Sequence, residues 1–270
     1  MKRAKCLRAA VVFDKSGTIL KPCRVVLDIH KNEVLFHVNT LKFVLEIGGY
    51  LVNIKGASIG IKRGGIKIGK VICSSSSAPP RISNEILRRN DVLNALKRVL
   101  VEAKRHCGSE VGTCAALIVD KFACPTHAVG LGGVLYEDVR ETVETIRGTD
   151  DDVFIATGNC RESTLKCAKI LGIDKRFVIA DASPKEKMDF VKKLRRFYGL
   201  VVMVGNDVND LPAMREADIS ILVKRDPSDV TEKMLFEVDH LVESLREVPK
   251  IISEIRRSVS FSTFDLKAHQ

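Results

Sequence analysis

The residues best suited to chemistry stand at the ends of short apolar runs. VVF (Val11–Phe13) stops at Asp14, and Lys15, Ser16, Gly17 and Thr18 follow at once. VFIA (Val153–Ala156) stops at Thr157, with Gly158 and Asn159 next. LVVMVG (Leu200–Gly205) stops at Asn206, followed by Asp207, Val208, Asn209 and Asp210. A carboxylate at the mouth of a buried strand is poorly solvated, so a simple turn explains Gly17 and its polar neighbours but not Asp14. Phosphoryl transfer explains the whole set. The Asp14 carboxylate can attack phosphorus as a covalent nucleophile. Carboxylates gathered at a strand edge call for a cation, and hard oxygen donors suit magnesium. The Thr157 hydroxyl and the Lys187 ammonium can hold phosphoryl oxygens, and the lysine also offsets charge near Asp14. Plainer readings stand beside these. Thr157 could cap a helix, Lys187 could be a solvated helix charge with Lys185 as its rival, and Asn206 and Asp207 could simply form a turn.

These residues need elements that bring them to one edge. The second half of the chain alternates strand-like and helix-like segments. VFIATG and RFVIAD (Arg176–Asp181) read as strands, and apolar residues recur at helical spacing from Cys160 to Leu171. Ser183-Pro184-Lys185-Glu186 carries a capping-box pattern and predicts a helix running to about Phe197, with Gly199 closing it. LVVMVG, a short helix near Leu211–Ala217, ISILV (Ile219–Val223), a strand near His240 and a final helix from about Glu243 to Arg257 follow. Strands alternating with helices predict a doubly wound parallel sheet with helices on both faces. Ligands of such sheets bind beyond the carboxyl ends of the strands, where the polar residues cluster.

Between Leu20 and about Ala123 the pattern changes. CRVVLDIHKNEVLFHV and YLVNIKGASIGIKRGGIKIGKVI are rich in β-branched residues with glycine turns, which predicts antiparallel strands. CSSSSAPPR (Cys73–Arg81) reads as a loop, and Ile82–His106 has helical apolar spacing. A mixed α+β insertion is therefore expected just after the first strand, placed to act as a lid. The predicted division is a catalytic core of residues 1–22 and 125–270 and an inserted domain of residues 23–124.

The composition narrows the partners. With 270 residues and 45% hydrophobic content, the chain can bury a sizeable core. No run of about 18 uncharged apolar residues occurs, so no membrane insertion is expected. The basic then apolar N-terminus imitates a signal peptide, but its apolar part is short and Asp14 ends it without a small-residue cleavage site, which places the protein in the cytoplasm. The net charge of +10 attracts polyanions, yet 11 Phe, 3 Tyr and no Trp leave few platforms for stacking bases. A phosphorylated small molecule or nucleotide is thus preferred over nucleic acid as the partner. Glutamine occurs once, at the last residue, a balance that fits avoidance of labile amides. Eight cysteines without a C-x-x-C argue against a disulfide framework in a cytosolic chain. His106, Cys107, Cys114, Cys124 and His127 have zinc-ligand types at irregular spacing, and small buried thiols account for them as well.

The motifs also carry a resemblance. DKSGT is similar to the DKTGT phosphorylation motif of the P-type ATPases, members of the haloacid dehalogenase superfamily. ATGN (Ala156–Asn159) resembles that family's second motif, TGD, and SPKEK (Ser183–Lys187) its P-x-x-K motif. VGNDVNDLPAMREADISI (Val204–Ile221) resembles its GDGxNDxPAL segment, and GLGGVLYEDVRETVETI (Gly130–Ile146) the stretch before the second motif. The likeness covers roughly residues 7–22 and 127–258. Lys55-Gly56-Ala57 resembles a lysine motif of the pumps' nucleotide-binding domain and also reads as a glycine turn between strands.

The resemblance implies a Rossmann-like sheet with a cap and a soluble hydrolase working through an aspartyl phosphate. Asp14, Thr157 and Lys187 would be catalytic. Ser16, Gly17, Thr18, Thr157, Gly158, Asn159, Lys187 and Asn209 would bind phosphate. Asp14, the Ser16 carbonyl, Asn206, Asp207 and Asp210 would hold magnesium. The chain departs from the family pattern twice. Ser16 stands where most of the phosphatases have an aspartate as general acid and base, and Asn206 where they have the first metal aspartate. Slow turnover is the expected consequence. The alternative is a catalytically weak relative that binds a phosphorylated ligand or ATP in a regulatory role.

Overall fold

A computed structural model describes residues 8–36, 38–58, 60–62, 64–75, 79–108, 110–225 and 230–265. Residues 76–78 of the expected serine-rich loop, and the N-terminal residues 1–7, lie outside these. In chain order the elements are β1 (Ala9–Phe13), β2 (Leu20–Asp28), β3 (Val34–Phe36), α1 (Thr40–Glu46), β4 (Tyr50–Lys55) and β5 (Lys67–Ser74). Then come α2 (Asn90–Cys107), β6 (Cys114–Val119), β7 (Pro125–Leu135), α3 (Val139–Gly148), β8 (Asp152–Ala156), α4 (Arg161–Ile170) and β9 (Val178–Ile179). The chain continues through α5 (Pro184–Leu194), β10 (Leu200–Gly205), α6 (Leu211–Met214), β11 (Ile219–Val223), α7 (Glu232–Leu235), β12 (His240–Val242) and α8 (Val248–Asp265).

One sheet has six strands in the order β12-β11-β10-β1-β8-β9. Its pairings are parallel, with Val11 beside Val202 and Phe13 beside Val204. Every residue of β1 and of β10 is buried, so both strands read as unbroken apolar runs, as expected of parallel strands covered on both faces. The expected α/β class is the one observed. RFVIAD yields less strand than its composition predicts, because Lys175–Phe177 form a 3₁₀ turn and only Val178–Ile179 pair with β8.

The second sheet is antiparallel, in the order β3-β2-β7-β6-β4-β5. Helix α2 lays Val92, Leu96, Val99, Leu100 and Ala103 against it, all buried. The approach to β7 is so close that a Cβ on Gly130 would stand 2.3 Å from the Val99 carbonyl oxygen, which only glycine permits. Strand β2 pairs with β7 along its whole length, from Leu20 opposite Leu135 to Asp28 opposite His127. The antiparallel sheet therefore reaches from 20 to 135, beyond both ends of the predicted insertion.

The chain forms two compact units. One comprises the chain up to Ile19, Tyr136–Phe154 and everything from Pro184 onward, and the other comprises Leu20–Leu135 with Ile155–Ser183. Residues 155–183, expected in the catalytic core, thus group with the inserted sheet.

Contrary to the expectation from the cysteine pattern, two disulfides are present. Cys23 in β2 bonds Cys107 at the end of α2, and Cys114 in β6 bonds Cys160 at the start of α4. Both partners in each bridge lie in the same unit. They also remove Cys107 and Cys114 from the suspected zinc cluster. His106 lies against Phe36 with ring centroids 4.4 Å apart, and His127 lies edge-on to Phe43. Among the described residues no group of three His, Cys, Asp or Glu side chains is gathered as metal ligands. No described helix is long and apolar enough to cross a membrane.

Candidate active site

Strand β1 ends as its sequence predicts, with the Asp14 amide still donating to the Val204 carbonyl of β10 at 2.9 Å. The chain then turns. Gly17 adopts φ +89°, and a Cβ there would lie 2.2 Å from the Asn206 side chain, so the DKSGT turn is pressed against the loop that follows β10. Thr18 is fully buried and its hydroxyl donates to Asn206 Oδ1 at 3.2 Å. Ile19 N–H closes the turn onto the Lys15 carbonyl at 3.1 Å.

Helix α5 supplies the cation. Lys187 Nζ donates to Asp14 Oδ1 at 2.5 Å and to Asp210 Oδ1 at 2.7 Å. Asp14 and Lys187 are each 5% exposed and Asp210 is 1% exposed. Lys185, the rival, is exposed on the same helix. The other oxygen of Asp210 accepts from the Asn206 and Asp207 amides at 3.1 and 3.3 Å. Asp210 thus organises the GNDVND loop while facing the lysine.

One ammonium cannot neutralise two buried carboxylates. Burial pushes Asp14 up to about 6; Lys187 opposes the rise and Asp210 adds to it. Burial works against the Lys187 charge, but Asp14 and Asp210 outweigh it and hold the lysine above its usual range. Burial, and then the charge of Asp210, also raise Asp207. Asp207 is only part-buried and accepts weakly from Asn209 at 3.4 Å, while Asn209 itself is exposed. A buried cluster with surplus negative charge and only oxygen donors fits a hard divalent cation. Such an ion would draw on Asp14, Asp210, the Ser16 carbonyl and the Asn206 amide oxygen, with water completing the set.

Thr157, Gly158 and Asn159 form a separate loop in the unit of 20–135 and 155–183. Thr157 is 1% exposed; its hydroxyl donates to Asn159 Oδ1 at 2.8 Å and accepts from the Asn159 amide at 3.2 Å. It does not cap α4, whose N-cap is Cys160. The Ala182 amide donates to the Thr157 carbonyl, which ties this loop to the chain leading into α5. In that same stretch Asp181, at φ +55°, accepts from buried Asn53 of β4 at 2.5 Å.

Two residues absent from the sequence reading stand beside the turn, Asp138 and Arg225. Arg225 grips Asp138 with two hydrogen bonds of 2.9 Å and donates to the Thr18 carbonyl. Nothing in VKRDPSD marks that arginine, and its partner is 87 residues away.

A parallel sheet whose strand ends carry an aspartate, a lysine-bridged second aspartate and a GNDVND loop defines a hydrolase of a known class. A sequence profile of the haloacid dehalogenase-like hydrolases matches residues 9–218, and the chain belongs to that family. It is 28% identical over 267 residues to a "Soluble P-type ATPase-like phosphatase" of Methanocaldococcus jannaschii, with 92% of this chain and 94% of the relative covered. It is 26% identical over 250 residues to a copper-transporting ATPase of Helicobacter pylori, with 85% of this chain covered but 32% of the transporter. Among solved structures, a zinc-transporting PIB-type ATPase in the E2.Pi state aligns with TM-score 0.50 at 18% identity, over 93% of this chain and 41% of that one. The chain spans about a third to two-fifths of these transporters and nearly all of the archaeal relative.

Proposed function

We propose that the protein is a magnesium-dependent phosphohydrolase that passes through an aspartyl phosphate on Asp14, acting on a phosphate ester or nucleotide in the cytoplasm. The observation that carries this reading is the buried Asp14–Lys187–Asp210 cluster at the end of β1. A carboxylate is buried there against solvation, with a lysine aimed at the oxygen that would attack. The near full-length likeness to a soluble phosphatase supports it.

In the first step an Asp14 oxygen forms a bond to phosphorus as the bond to the leaving oxygen breaks. Lys187 stays protonated throughout and stabilises charge on the phosphoryl oxygens. The backbone of the DKSGT turn would orient those oxygens. In the second step water attacks the same phosphorus, releasing inorganic phosphate and restoring the Asp14 carboxylate. Magnesium, when bound, supplies neutralisation of the carboxylates and of the phosphoryl charge. Ser16 offers no carboxyl to protonate the leaving group, so substrates with good leaving groups should react fastest.

Ser16 and Asn206 also favour the second reading, a weak or inactive relative that binds a phosphorylated ligand or ATP. Release of p-nitrophenol from its phosphate ester, with wild type beside Asp14→Asn across a magnesium titration, separates the two. Magnesium-dependent release that disappears in the variant supports the hydrolase. Equal release from both proteins would sink it.

A further inference from the structure

The DKSGT turn carries the reacting group, yet its glycine at positive φ gives it little stiffness of its own. What fixes it lies elsewhere in the same unit. Arg225, just past the end of β11, directs Nη2 and Nε at the Thr18 carbonyl at 2.9 and 3.3 Å. Its Nη1 and Nη2 also donate to Asp138 Oδ2 and Oδ1, both at 2.9 Å. The guanidinium lies 4.0 Å from the centre of the Tyr136 ring. The two side chains of the pair are 9% and 6% exposed.

Asp138 is held in turn. It stands at the N-cap of α3 but makes no cap to that helix. Its Oδ2 instead accepts from Ser244 Oγ at 2.9 Å and from the Leu245 amide at 2.8 Å. Thr18 is therefore pinned from two directions, its hydroxyl by Asn206 and its carbonyl by Arg225. The guanidinium is neutralised by Asp138, and Nε, Nη1 and Nη2 each donate to Thr18 or Asp138, so it is not built as a hook for a free anion. Only a planar fork can serve a carbonyl and a carboxylate together in this way, which lysine cannot do.

We propose that Arg225 is a positioning residue for the Asp14 turn, acting through the Thr18 carbonyl and itself oriented by Asp138. Its kinetic consequence rests on Asp14 being the reacting group; its structural consequence does not. A turn released at Thr18 lets the Asp14 oxygen drift from the line of attack, and small misplacements of a reacting atom are costly in rate.

The test compares wild type with Arg225→Met and Arg225→Lys. Amide hydrogen exchange is followed over Ser16–Leu20, with β6 (Cys114–Val119) as the internal control, and kcat and KM are measured with p-nitrophenyl phosphate. The expected result is exchange at least about tenfold faster in the turn and unchanged in β6. With it, kcat falls at least about tenfold in both variants while KM stays within about threefold. A folded variant with wild-type exchange in the turn overturns the proposal, as does a loosened turn with wild-type kcat. Loss of the fold in both variants also overturns it, since the pair would then be merely structural. If wild type shows no Asp14-dependent hydrolysis but the turn loosens as expected, the reaction assigned to Asp14 has failed and the positioning of the turn stands.

Discussion

Asp14 and Asp210 face each other across one ammonium in a buried cluster, an arrangement that costs stability and, under the proposed function, serves reactivity. Asp14→Asn removes one of two competing charges and should raise the thermal midpoint of the metal-free protein at pH 7.5. Lys187→Met leaves both carboxylates buried without a cation and should cost about 3–5 kcal/mol. Both variants should be inactive, so unfolding in chelator distinguishes their roles, and a lower midpoint for Asp14→Asn would contradict this charge balance. Asp138 behaves in the opposite way. Burial pushes its carboxyl up, but Arg225, the Leu245 amide and Ser244 outweigh that and hold it below the usual range. A depressed folded value stabilises above the unfolded value of about 3.9 and is lost as pH falls through the lower folded one. Asp138→Asn should therefore destabilise at pH 7, and its gap to wild type should close only below about pH 4 in thermal unfolding. A gap that closes near pH 6 would assign the effect to another group. The sequence revealed these two sites unequally. Lys187 could be chosen over Lys185 because a motif carries it. Arg225 sits in a charged turn that looks solvated, and only folding brings it to Thr18.

Strands buried on both faces of the parallel sheet are readable, since that burial leaves unbroken apolar runs in β1 and β10. Strand β7 is not. Its GLGG stretch looks like a preface to the second motif, and its end, Leu135, pairs with Leu20 of β2, 115 residues earlier. Long-range pairing leaves no local signal, and the same holds for the cysteines. Cys23 and Cys107 are 84 residues apart and Cys114 and Cys160 are 46 apart, without any short spacing to announce them. Each bridge closes a long loop within the unit of 20–135 and 155–183, so each should contribute about 2–4 kcal/mol, mainly by restricting the unfolded chain. The prediction is a lower unfolding temperature in reductant, with Cys114→Ser losing part of that difference and Cys114→Ser with Cys107→Ser losing all of it. Peptide mapping without reductant should recover both linked pairs. Midpoints equal with and without reductant would show that the thiols stay reduced.

At the scale of the whole chain two fields oppose each other. The protein carries a net charge of +10, while the cluster around Asp14, Asp207 and Asp210 is locally acidic. Under the proposed function, a positive body should draw phosphate-bearing substrates over about a Debye length, roughly 10 Å at 0.1 M salt, and a divalent ion would finish the approach. Screening should act on encounter and not on the chemistry of the bound complex. Raising salt from about 0.05 to 0.5 M at saturating magnesium should therefore lower kcat/KM several-fold and leave kcat nearly unchanged. The fall should be steeper for a nucleoside triphosphate than for p-nitrophenyl phosphate, because the attraction scales with ligand charge. The measurement is a steady-state series at constant pH with two substrates of different charge. A kcat/KM that is flat or rises with salt would mean that the acidic cluster, not the net charge, sets the field its substrate meets. The excess of lysine and arginine would then act on some other partner or on solubility alone.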